Sequence, residues 1–134
     1  MNDCVFCKII KGEIPSYKIY EDDYTLAFLD ISKDIDGHTL VIPKKHCTNI
    51  LDCDKETLEY VMQTVKKVAK HYVENCGYDG VNILNANNLA SGQSVFHLHF
   101  HIIPRKEKDN EDAWPKFSGA KYDLKDMCEK LKLD

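Results

Sequence analysis

Apolar positions along this chain recur with two periods, and the change from one to the other marks out its elements. A spacing of two belongs to strands and a spacing near 3.6 to helices. SYKIYE (16–21) and YTLAFLDI (24–31) read as two strands joined by the polar turn Glu21, Asp22 and Asp23. HTLVIP (38–43) is a third strand, apolar enough to lie at the centre of a sheet. The period then lengthens. Leu58, Val61, Met62, Val65, Val68, Ala69, Tyr72 and Val73 form an i, i+3, i+4, i+7 stripe, which predicts one long helix over 55–76. Asp54 stands where an N-cap belongs and Gly77 where a left-handed residue closes a helix. YDGVNILN (78–85) and residues 97–104 supply a fourth and a fifth strand. Phe6, Ile9 and Ile10 predict a short helix over 6–11, ended by Gly12 and barred from continuing by Pro15. A weak terminal helix covers 123–133.

Strands, then a helix, then strands predict an α+β fold: a five-stranded, mainly antiparallel sheet with one long helix and short terminal helices, the helices on one side. A length of 134 residues suits a single domain, 1–134. The polar loop at 86–93 and the charged stretch at 105–112 fall between elements, and the latter is expected to be mobile.

Composition narrows the function classes. Hydrophobic residues make up 43% and charged residues 30%, an ordinary globular balance. A formal net charge of −4 argues against non-specific binding to a nucleic acid polymer, which needs a basic surface. No stretch is long and apolar enough to span a bilayer. Met1, Asn2 and Asp3 lack the basic start of a secretory signal, so a cytoplasmic protein is expected. In that reducing setting the six cysteines stay free or bind metal.

The densest chemistry lies in FHLHFHIIP. As a strand, it sends Phe96, Leu98, Phe100 and Ile102 to the core, and His97, His99 and His101 to the other face in steps of about 7 Å. A buried row would need partners for both nitrogens of every ring, each costly if unpaired. Two readings follow: imidazole ligands for a metal, or nucleophilic and acid–base catalysis by groups that titrate near neutrality. Gly92, Gln93 and Ser94 precede the row with N–H, amide and hydroxyl donors, a set better suited to anionic oxygens than to a cation. Spacing alone leaves both readings open.

Taken together, GQSVFHLHFHIIP (92–104), GHTLVIPKKH (37–46) and FCKIIKGEIP (6–15) resemble the histidine triad (HIT) proteins. Three histidines alternate with apolar residues and two more apolar residues follow, as in that family. The likeness covers a core of about 4–105 and leaves 106–134 as a tail.

The resemblance implies a nucleotidyl hydrolase acting at the α-phosphate of purine nucleotide conjugates, nucleoside phosphoramidates and adenylyl conjugates above all. His99 would be the nucleophile, forming a nucleotidyl-histidine that water hydrolyses. His97 and His101 would orient it and hold phosphate oxygens, and His38 would extend their network. Ser94 and Gln93 would hold the phosphate or bridging group, with Ser94 helping to protonate the leaving group, and Asn85 would complete the phosphate side. Phe6, Ile9, Phe28 and Ile31 would form an apolar slot for the base, and Asp30 would accept hydrogen bonds from the ribose. No organic cofactor is implied.

Some HIT proteins, and the related galactose-1-phosphate uridylyltransferases, also carry zinc. The matching residues here are Cys4, Cys7, His46 and His97, a structural set that would brace the nucleophile two residues on. A homodimer through the long helix and fourth strand is implied too; the tail, outside the likeness, is expected to reach across it with Trp114 as its contact. His101 stands where the uridylyltransferases have glutamine, which points to water as acceptor. Two alternatives stay in view: a dinucleoside polyphosphate hydrolase, and a nucleotide-binding regulator with incidental hydrolysis.

Overall fold

The computed structural model describes residues 3–133, so residues 1, 2 and 134 of the expected domain, including the start of the chain read for a signal, lie outside it. In chain order the elements are α1 (Val5–Ile10), β1 (Lys18–Glu21), β2 (Thr25–Leu29), β3 (Thr39–Pro43), α2 (Lys55–Asn75), β4 (Gly80–Leu84), β5 (Phe100–Arg105) and α3 (Leu124–Leu131), with a single 3-10 turn at Leu89–Ser91. The strands form one sheet in the order β1-β2-β3-β5-β4. Every neighbouring pair is antiparallel, and the α+β expectation holds.

β3 is central and wholly buried, as its composition predicts. Its two faces pack against different helices. Ala27, Val41, Phe100 and Ile102 meet Val61, Val65, Val68 and Tyr72 of α2. Leu26, Phe28, Leu40 and Ile42 point the other way, onto Phe6 and Ile9 of α1. Helices therefore cover both faces, not one. The reason is local: β2 and β3 are apolar at successive positions, so neither face can be left to water.

α2 begins at Asp54, whose carboxylate accepts the Thr57 N–H at 3.2 Å. Past its end Gly77 takes φ +83°, as a left-handed closing residue should. Not all of the predicted stripe is buried: Met62 and Val73 are 39% and 40% exposed, on a flank of α2 that the sheet does not reach. Ile83 and Leu84 on the edge strand β4 are also exposed.

Two further expectations are corrected. The histidine row is not one strand face, because β5 starts at Phe100. His97 lies in a bend before it, and the Leu98 N–H is donated to the carbonyl of Cys47 at 2.8 Å, outside the β3–β5 ladder. Phe96, assigned to the core, is 45% exposed in that bend. The charged stretch 105–112 is not a free loop either. Arg105 pairs with the Asp109 carboxylate through Nε at 2.9 Å and Nη2 at 2.7 Å, and donates to Asn82 Oδ1 at 2.7 Å. Its guanidinium also meets the carbonyl of Glu111, tying the start of the tail to β4.

Candidate active site

The site forms where the β2–β3 loop, the bend before β5 and the N-terminal helix meet, on the sheet face that α1 covers. The β2–β3 loop closes on itself through the Asp30 N–H to the His38 carbonyl at 2.8 Å. Within it Asp34 Oδ1 accepts from the Ile35 N–H at 2.9 Å, the Ser32 hydroxyl at 3.1 Å and His38 Nδ1 at 2.8 Å. Gly37 makes the return possible. Its φ is +83°, and a Cβ there would lie 2.7 Å from Cγ of Pro104.

His99 and His101 then meet His38. Ring centroids of His99 and His101, and of His101 and His38, are each 5.0 Å apart. Proton positions follow from the partners. His99 Nδ1 sits 2.8 Å from the His97 carbonyl, which can only accept, so Nδ1 carries the hydrogen and Nε2 keeps its lone pair. His38 Nδ1 donates to the Asp34 carboxylate, which leaves Nε2 of a neutral His38 to accept from His101 Nδ1 at 2.8 Å. Nε2 of His101 is then the free nitrogen. Burial holds the His99 imidazole below its usual pKa and pushes His101 down to about 4, the neighbouring rings adding to it. Neutral imidazoles, one with a free Nε2 aimed from a buried ring, are nucleophiles at neutral pH.

His97 is different. Its Nε2 donates to the Pro43 carbonyl at 2.8 Å, so Nδ1 is bare and faces Cys4 Sγ at 3.3 Å and Cys7 Sγ at 3.5 Å. His46 Nδ1 lies 3.3 Å from Cys7 Sγ and 3.1 Å from His97 Nδ1. The four ligand atoms all fall within 4.8 Å of one another. A tetrahedron with zinc bonds of about 2.0–2.3 Å has edges of roughly 3.3–3.8 Å, so this donor set fits such an ion. Both nitrogens of His97 are thus turned away from the substrate side. Its contact with His99 is the backbone carbonyl that takes the His99 hydrogen.

Residues 11–108 match the HIT domain as a family. The chain belongs to the HIT family. It is 50% identical over 111 residues to an uncharacterized HIT-like protein of Borreliella burgdorferi, covering 81% of this chain and 80% of that one. It is 38% identical over 133 residues to an adenosine 5'-monophosphoramidase of Schizosaccharomyces pombe, covering 96% and 95%. Among solved structures, a zinc-bound histidine triad protein of Mycobacterium smegmatis superposes with a TM-score of 0.79 at 38% identity, over 84% of this chain and 81% of that one. At the family level these likenesses support a nucleotide hydrolase.

The remaining residues of this HIT protein divide by what their side chains touch. Phe6, Ile9 and Phe28 are buried below the histidines, with Phe6 edge-on to Phe28 and to His99 at centroid distances of 5.6 and 5.2 Å. Ile31 is exposed at 78%, and Asp30 Oδ2 lies 3.7 Å from His38 Nε2. Asn85 donates to the His99 carbonyl at 2.9 Å and so fixes the His99 backbone as well as lining the cleft. Gln93 is buried, its amide fully engaged. It donates to the carbonyls of Thr48 at 2.7 Å and Val95 at 3.0 Å, and accepts from Asn88 N at 2.8 Å and Asn49 Nδ2 at 3.1 Å. These bonds pin the loop. Ser94 is exposed and lines a smaller cleft beside Cys4.

A cleft of about 640 Å³ opens next to His38 and His101, and Glu111, Asp112, Ala113 and Pro115 of the tail also line it. Sequence reasoning missed two of its features. Asp34 gave no signal because a carboxylate in a polar loop is ordinary until the fold brings it to His38. Arg105 stood at the end of the fifth strand and was read only as the start of a loop. Asp30, His38 and His101 also lie within 4.8 Å of one another, but hydrogen bonding to Asp34 and between the two rings already occupies three of the four imidazole nitrogens.

Proposed function

We propose that this protein hydrolyses nucleoside phosphoramidates and related adenylyl conjugates of purine nucleotides through a nucleotidyl-histidine on His99. The observation that carries the reading is the hydrogen bond from His99 Nδ1 to the His97 carbonyl, which leaves Nε2 free on a neutral ring beside the cleft. In the first step Nε2 forms a bond to the α-phosphorus as the bond from phosphorus to the leaving nitrogen breaks. That nitrogen takes up a proton from solvent, relayed by the exposed Ser94 hydroxyl. In the second step water attacks phosphorus and gives its proton to His101 Nε2, which returns it to solvent before the next turnover. The bond between phosphorus and His99 breaks, and the nucleotide monophosphate leaves.

Around this chemistry Asp30 accepts from the ribose hydroxyls, and Ile31 closes over a base seated toward Phe6, Ile9 and Phe28. Asn85 holds the His99 backbone on the phosphate side. The hydrogen bond between His38 and His101 suits a water acceptor, since it leaves His101 a free nitrogen to take the proton.

Cys4, Cys7, His46 and His97 hold a structural zinc ion in this reading. When bound it ties the N-terminal helix to the bend before β5, and His97 then carries that rigidity to the carbonyl that orients His99. A cytoplasmic setting, where thiols stay reduced, suits the Cys4 and Cys7 pair. Exposed Ile83 and Leu84 on the edge strand, with Met62 and Val73 on α2, support a homodimer that joins the two sheets.

Adenosine and guanosine phosphoramidates assayed beside dinucleoside polyphosphates test the substrate class. The reading expects kcat/KM for the phosphoramidates to exceed that for the polyphosphates by about 10²-fold, the scale of a pocket's discrimination between leaving groups. The reverse order would make this a dinucleoside polyphosphate hydrolase.

A further inference from the structure

The β2–β3 loop contains a carboxylate that nothing in the proposed chemistry yet uses. Asp34 is exposed, but its Oδ1 is held by three donors, the Ser32 hydroxyl, the Ile35 N–H and His38 Nδ1, so its position is fixed. From Oδ1 a continuous chain runs inward: 2.8 Å to His38 Nδ1, across that ring, and 2.8 Å from His38 Nε2 to His101 Nδ1. We infer that Asp34 is a positioning residue of the site, which through His38 determines which nitrogen of His101 faces the substrate phosphate.

An ionised carboxylate can only accept, so it fixes the hydrogen of His38 on Nδ1. In the neutral ring Nε2 of His38 then accepts, which fixes the hydrogen of His101 on Nδ1 as well. Only this order leaves His101 Nε2 free in the cleft to receive a proton from water. Once His101 is charged, the chain lets Asp34 balance that charge from outside the buried centre, the logic by which a carboxylate orients the imidazole of a hydrolase triad. Without an acceptor at 34, His38 could donate through Nε2 to His101 instead, and the free nitrogen of His101 would turn into the protein. Asp36, exposed in the same loop, offers a matched control, since removing it changes the charge and breaks no contact of the chain.

This inference rests on the proposed hydrolytic reading for its catalytic consequence but not for its structural one. The test is 15N-NMR of histidine-labelled free protein at neutral pH, with steady-state kinetics on an adenosine phosphoramidate. In the parent, His38 and His101 should both show a protonated Nδ1 and a bare Nε2. Asp34→Ala should give mixed tautomers at both rings and lower kcat at least about tenfold with KM little changed. Asp34→Asn, which keeps an accepting oxygen, should recover the tautomers and part of kcat, and Asp36→Asn should match the parent. A parent with the opposite tautomers, unchanged tautomers in Asp34→Ala, or an equal effect of Asp36→Asn would each overturn the inference. If the parent shows the expected tautomers but no hydrolysis, the proposed function fails and the role of Asp34 in ordering the rings stands.

Discussion

His99 Nδ1 donates to the backbone carbonyl of His97 at 2.8 Å, so one residue orients its neighbour without lending it a side chain. The His97 ring is occupied elsewhere, by Pro43 on one nitrogen and by the Cys4, Cys7 and His46 cluster on the other. Whatever stiffens that cluster also stiffens the carbonyl that determines the His99 tautomer. The Cys4, Cys7, His46 and His97 cluster and the His99 ring are linked by a single backbone segment.

Metal content should follow from this cluster. Protein purified without chelator is expected to carry about one zinc ion per chain. Stripping it should lower the midpoint of thermal unfolding by several degrees, since an ion bound only by the folded state stabilises that state. Cys7→Ser should lose the ion and show the same lowered midpoint before any chelator is added. Metal analysis and calorimetry check both, and a stripped protein as stable as the parent would remove the structural role.

Gly37→Ala should be damaging out of proportion to its size. The residue sits at φ +83°, and the new methyl would press to 2.7 Å from Pro104 Cγ. Left-handed backbone and the contact together cost about 2 kcal/mol or more. Because His38 follows directly, kcat should fall as well. Denaturant unfolding and kinetics on the same variant measure the two effects.

His101 should bind its proton only in acid. Burial holds its folded pKa at about 4, against an ordinary histidine value of 6.5 in the unfolded chain. Between these values the unfolded state binds more protons, so this residue's contribution to stability is present above about 6.5 and is lost as pH falls toward 4. His101→Asn should therefore flatten the decline of stability across that window. Unfolding curves at stepped pH, with the His101 proton followed by NMR in the parent, give the comparison.

Much of this was legible in the sequence, for identifiable reasons. α2 announced itself because its stripe, Asp54 and Gly77 all agree, and β3 because an unbroken apolar run can only be central. In the candidate metal cluster, by contrast, Cys4 and Cys7 are close in sequence but His46 and His97 lie far from them, and only the family resemblance joined the two halves. The alternation from His97 to Ile102 points to a longer strand than forms, because the Leu98 N–H bonds the Cys47 carbonyl instead of joining the ladder with β3. The side assigned to the helices failed similarly, since apolar residues at successive positions of β2 and β3 call for cover on both faces. Gln93 was expected at the phosphate because its amide is a good donor. A buried amide serves the nearest backbone first, and Thr48 and Val95 have claimed it. Asp34 and Arg105 were silent for the opposite reason: only the folded chain supplies their partners.

The central claim is the covalent bond on His99. Rapid mixing of the parent with an adenosine phosphoramidate, acid-free quenching and intact-protein mass spectrometry should show one adenylyl group added. Peptide mapping should place it on His99, and His99→Ala should form none while still binding adenosine monophosphate. An adduct on another residue, or hydrolysis by His99→Ala at the parent's rate, would contradict the account.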